Sequence, residues 1–129
     1  MSMTALDLPP DTLKKYRPLE AIRRRKVKMS AQLSKRRRFA ALTARKAAEL
    51  LRSEFGAKEI MLFGSLARHG GFSLFSDIDI AARGIPPPRF FEAVGAVTGL
   101  SAEFKMDLID LDTCPPSMRA TIEREGKDI

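Results

Sequence analysis

Apolar residues recur along this chain with two periods, and the change from one to the other marks its elements. Between Leu19 and Phe55 there is neither proline nor glycine, so one long helix or two is permitted. Ala40, Ala44, Ala47 and Leu51 recur at helical spacing, with Arg45, Lys46, Glu49 and Arg52 outside, which predicts a helix with one buried stripe. Gly56 is placed to close it. Before that stripe, Arg23-Arg24-Arg25-Lys26, Lys28 and Lys35-Arg36-Arg37-Arg38 occupy every helical face and leave little to bury, so a division is expected between residues 34 and 40.

The period then changes. Lys58 to Phe63 reads as a strand, Arg68 to Phe75 as a glycine-containing loop, and Asp77 to Ala82 as a second strand, ended by Gly84 and Pro86-Pro87-Pro88. Arg89 to Leu100 reads as a helix with Phe90, Phe91, Val94 and Val97 available to the sheet. Phe104 to Leu111 is a third strand, and Pro115-Pro116 opens a last short helix ending near Gly126. Residues 1–18, with Pro9, Pro10 and Pro18, read as an irregular arm. Strands and helices interleave, which predicts an α/β fold; spacing leaves the strand directions open.

Composition narrows the class. The 129 residues suffice for one domain with its own core. No apolar run reaches the roughly 18 residues of a membrane span, and Asp7 and Pro9-Pro10 stand where a secretion signal needs an apolar block. One cysteine, Cys114, excludes an internal disulfide and fits a reducing cytoplasm. One cysteine and one histidine argue against a structural zinc site. The net charge of +7 implies an acidic partner: nucleic acid, a nucleotide or an acidic protein surface.

The candidate chemistry lies in Ser76-Asp77-Ile78-Asp79-Ile80. Successive strand side chains point to opposite faces, so Asp77 and Asp79 share one face and Ile78 and Ile80 the other. Two carboxylates side by side repel and gain nothing by packing, which points to a cation between them rather than to a solvated edge. Upstream, an apolar strand ends in Gly64-Ser65, where glycine lets backbone approach a phosphate and a hydroxyl can donate to it.

Leu62-Phe63-Gly64-Ser65-Leu66-Ala67-Arg68 followed by Ser76-Asp77-Ile78-Asp79-Ile80 resembles the signature of the DNA polymerase β-type nucleotidyltransferase superfamily, and is similar to its smallest members, the minimal nucleotidyltransferase (MNT) domains. The resemblance covers about residues 41 to 126. It departs at His69, where many relatives have glycine, and in a Ser65-to-Asp77 spacing one residue longer than the commonest form, with Gly70-Gly71 in the loop.

The resemblance implies a small mixed sheet with helices mainly on one face, residues 40–129 as the nucleotidyltransferase domain and residues 1–39 as a basic arm, helical in part. It implies Asp77, Asp79 and Asp107 as catalytic residues and ligands of Mg²⁺, with two ions, and Asp107 also as base for the attacking hydroxyl. Gly64, Ser65, Arg68 and Ser76 would bind the nucleotide, with ATP as substrate. Asp110 and Asp112, near the strand end, are expected to serve the loop or a helix cap. The implied activity is transfer of AMP to a hydroxyl of a separate protein, a HEPN toxin for which this chain is the cytoplasmic antitoxin in a hetero-oligomer. A binding module that acts by occlusion, or RNA binding through the basic arm, is the rival; transfer to an antibiotic is a weaker third. The basic runs themselves leave open a solvated face, RNA and an acidic protein, and with Phe39 the one aromatic among them base stacking has little to use.

Overall fold

A computed structural model describes residues 18–68 and 72–129. The proline-bearing segment before residue 18, and His69, Gly70 and Gly71 of the loop, lie outside the described residues. The elements in chain order are α1 (Pro18–Phe55), β1 (Glu59–Phe63), a 3₁₀ turn (Gly64–Leu66), β2 (Ile78–Arg83), α2 (Pro87–Thr98), β3 (Met106–Asp110), α3 (Pro116–Glu125) and β4 (Lys127–Asp128).

α1 is one uninterrupted helix of 38 residues, the single long helix that the lack of proline and glycine permits. Pro18, read as part of an irregular arm, begins the helix, where its missing N–H costs nothing. The chain divides into two compact units, the first ending at Gln32 and the second beginning at Leu33. In the first, every residue from Leu19 to Gln32 is exposed, including Leu19, Ile22, Val27 and Met29.

In the second unit, α1 turns the predicted stripe inward: Ala40, Ala44, Ala47, Ala48 and Leu51 are buried. The alanines leave room for the helix to lie close to the sheet, and Leu51 and Phe55 fill its far end. Gly56, at a φ of +71°, takes the left-handed conformation that stops the helix, and Ala57 N–H donates to Leu51 O at 3.0 Å.

The sheet has the order β3-β2-β1-β4. β1 pairs antiparallel with β2 and with β4, while β2 and β3 run parallel, so the sheet is mixed. One face carries Ile60, Leu62, Ile78, Ile80 and Leu108 into the core formed with α1 and α2. The other carries Met61 and Ala81, covered with Leu111 by Ile122 of the short α3. Two helices therefore lie on one face and one on the other. α2 buries Ala93 and Val97 and half-buries Phe90 and Val94, but Phe91 is 89% exposed, contrary to the sequence reading. Phe91 is one step past Phe90 on a 100° wheel, which is enough to turn it off the sheet.

Because burial among the described residues begins at Leu33, a chain starting there is expected to keep its secondary structure and cooperative melting. Circular dichroism and a thermal scan test this. Loss of the transition would show that residues 1–32 are needed for folding.

Candidate active site

Three chain segments meet at one end of the sheet because of strand register. Phe63, the last residue of β1, sits opposite Asp79 of β2, and Asp79 is in turn the parallel partner of Asp107 on β3. Asp79 and Asp107 therefore project from adjacent strands on the same face, opposite to the buried Ile78 and Ile80. Asp77 immediately precedes β2 and is half-buried. Ile78 N–H donates to Lys105 O at 2.9 Å, which locks the start of β3 to the start of β2 and fixes the spacing of the carboxylates.

Gly64 follows directly on β1. Its φ of +72° is a conformation that glycine adopts freely, and a Cβ there would run into Asp79 Oδ2. The close approach of this backbone to a carboxylate is thus the reason for glycine. The turn it opens is closed by Ala67 N–H donating to Gly64 O at 3.2 Å. Leu66 and Ala67 are buried beneath it, Ser65 is half-buried and Arg68 is exposed.

Past the loop, Phe72 is buried and anchors the return of the chain. Ser76, read as a nucleotide contact, serves a tight turn: its Oγ accepts from Ser73 N–H at 2.8 Å and shares a hydrogen bond with Ser73 Oγ at 3.1 Å. At the far end of β3, Asp110 Oδ1 accepts from Asp112 N–H and Asp112 Oδ2 from Gly84 N–H, both at 2.9 Å, so these two aspartates serve the loop as expected.

The Asp79 carboxyl is held above its ordinary range, chiefly by burial, then by the charges of Asp107 and Asp77, with Lys105 opposing them. The share of that shift that comes from the charges of Asp107 and Asp77 is relieved by any positive charge placed among them, not by a proton alone. A divalent cation fits this donor set. Among the described residues no group of three acidic, His or Cys side chains is placed to hold a metal ion by itself. Mg²⁺ does not need one, since it is commonly held by one or two carboxylates together with waters and substrate phosphates.

Asp79 and Asp107 line a cleft of about 680 Å³ whose walls include Phe63, Ile109, Met118 and Ile122. Among the described residues Lys105 is the one basic residue lining it, and sequence reading missed it. A lone lysine before a strand gives no periodic or motif signal; only the pairing of β3 with β2 brings it beside Asp79.

No family model matches the sequence, and no curated protein sequence matches it. Solved structures of toxin–antitoxin complexes do. A toxin–antitoxin structure with AMP-PNP is 26% identical, over 66% of this chain and 70% of that one, with a TM-score of 0.56. The toxin–antitoxin MntA-HepT is 24% identical, over 68% and 69%, with a TM-score of 0.52. A tri-AMPylated Shewanella oneidensis HEPN toxin in complex with MNT antitoxin is 24% identical, over 69% and 70%, with a TM-score of 0.53.

Proposed function

We propose that this chain, whose fold is that of a minimal nucleotidyltransferase domain, is an enzyme that moves AMP from ATP to a hydroxyl of a partner protein. The observation that carries the reading is that register sets Asp79 beside Asp107 at the end of the sheet where Gly64 closes on Asp79 and Asp77 leads into β2. The likeness to complexes that hold AMP-PNP or an AMPylated toxin supports adenylyl transfer as the reaction and a HEPN-type toxin as the partner.

In this reading the loop from Gly64 to Arg68 receives the triphosphate, with Ser65 donating its hydroxyl to a phosphate oxygen and Lys105 and Arg68 supplying positive charge. Asp77, Asp79 and Asp107 would hold Mg²⁺, which when bound neutralises charge developing on the attacking and leaving oxygens. The apolar walls of the cleft leave space for the nucleoside beside β3. The partner's hydroxyl oxygen forms a bond to the α-phosphorus and the bond from that phosphorus to the β-phosphate oxygen breaks. Pyrophosphate leaves, and the hydroxyl proton passes to a carboxylate of the cluster, Asp107 in this reading. The protein's share of such a reaction is mostly positioning and charge neutralisation.

The test is direct. The protein is incubated with the product of the neighbouring reading frame, labelled ATP and Mg²⁺, and the neighbour is weighed by mass spectrometry. One or more added AMP units are expected, and none with Asp79→Asn. Equal inhibition of the neighbour by wild type and by Asp77→Asn/Asp79→Asn, with no added mass, would establish a binding module instead.

A further inference from the structure

We propose that Arg37 is the positioning residue of the phosphate-binding loop, holding the main chain of residues 64–68 in the conformation that presents Gly64 and Ser65 to a nucleoside triphosphate. The inference rests on the nucleotide reading above for its ligand. The hold itself stands on geometry.

Arg37 lies on α1, within a basic run that the sequence leaves open between a solvated face, RNA and an acidic protein. The residue is half-buried, and its Nη2 donates to Leu66 O at 3.1 Å and to Arg68 O at 3.0 Å. Both hydrogens of one nitrogen are thus committed to carbonyls two residues apart, an arrangement open only to a chain curled as this turn is. The turn is three residues long, has no side-chain cap at its start, and is closed by Ala67 N–H donating to Gly64 O. A 3₁₀ turn this short is weak, because hydrogen-bond geometry in such turns is poor. A charged donor on two of its carbonyls is a strong addition. Pinned carbonyls also fix the planes of their peptides, so the N–H groups on the opposite side keep their direction.

The neighbouring arginine keeps α1 in the rotation this requires. Arg36 lies over the ring of Phe104, with its guanidinium carbon 4.4 Å from the ring centre, and Nη2 reaches Glu103 O at 3.4 Å. Phe104 is buried and is also met by Phe39, with ring centres 5.5 Å apart. Arg36 thereby grips the root of β3, which carries Lys105 and Asp107, while Arg37 grips the loop after β1. One helical turn braces both halves of the site.

Three measurements on the full chain test the role: deuterium exchange of the peptide spanning residues 64–68 without nucleotide, calorimetric affinity for ATP with Mg²⁺, and the melting temperature. Arg37→Ala is expected to speed exchange in that peptide about tenfold and weaken ATP binding about tenfold, with exchange across β1 and β2 and the melting temperature unchanged. Arg37→Lys keeps the charge and one donor group, and should recover part of both losses. Unchanged loop exchange, or faster exchange throughout with a lowered melting temperature, would overturn the proposal. Should Arg37→Ala fail to fold, Arg37→Lys against wild type makes the same comparison. If wild type binds no ATP, the nucleotide reading fails; loop exchange then decides Arg37's hold on its own, faster exchange upholding it and unchanged exchange refuting it.

Discussion

Replacing Asp79 with asparagine is expected to lower adenylyl transfer by about a thousandfold or more, as removal of one member of a group that acts as a unit does. Asp79 is the middle carboxylate: register sets it between Phe63 and Asp107, and Asp77 is two residues away. Asp77→Asn should lose nearly as much, and the double variant little more than either single one. Single-turnover transfer measures all three, and multiplicative losses would contradict a shared cation. The same substitution should make the metal-free protein more stable near neutral pH. The carboxyl's folded pKa lies above its unfolded value of 3.8, so folded protein binds the extra proton in the window above 3.8. Stability from this group is therefore full below that window and is lost as pH rises through it. The substituted asparagine carries no charge and escapes the loss, so the advantage of the variant should grow with pH across the window and vanish in acid. Urea unfolding with a chelator present, followed against pH, checks the sign. A variant less stable than wild type at pH 7 would mean that Asp79 gains more from its neighbours than it loses.

Gly64→Ala should be nearly as damaging for a steric reason. The substitution adds one carbon where φ is +72° and where Asp79 Oδ2 already stands. The left-handed backbone alone costs an alanine about 1 kcal/mol, and the collision adds to it. The site relaxes either by moving the turn or by displacing the carboxylate, and each removes a part that nucleotide binding needs. ATP affinity below detection is expected, with the rest of the fold retained. Gly56→Ala, also at positive φ but with open space around the added carbon, is the control, since it should lose stability and keep affinity. Near-normal ATP binding by Gly64→Ala would remove this turn from the phosphate site.

How much of this was legible in the sequence depended on the kind of signal. Alternation located β2 and assigned its faces, because Ile78 and Ile80 are wholly buried and Asp79 lies between them on the other side. The alanine stripe of α1 was readable for the same reason. β4 was not: its two residues, Lys127 and Asp128, are polar and are a strand only because β1 pairs with them. Phe91 shows the opposite failure, a large apolar residue that the helix turns outward. Arg36 and Arg37 were read as charge because sequence does not say which long side chains lie flat on a ring or reach back to a carbonyl. An arginine has enough stem to do either, and only the fold decides.

The mixed pairing of the sheet also orders the assembly of the site in time. β1 and β2 are joined by one loop and pair antiparallel, so Gly64 and the Asp77–Asp79 pair come together through contacts that are short in sequence. β3 is parallel to β2 and is reached only after the crossover through α2, a longer loop closure. Asp107 is therefore expected to be the last carboxylate to arrive, against two like charges. The repulsion belongs to the docking of β3 rather than to the hairpin, and it falls on the late part of folding, where a cation or a bound nucleotide–metal complex can speed the final step without touching the first.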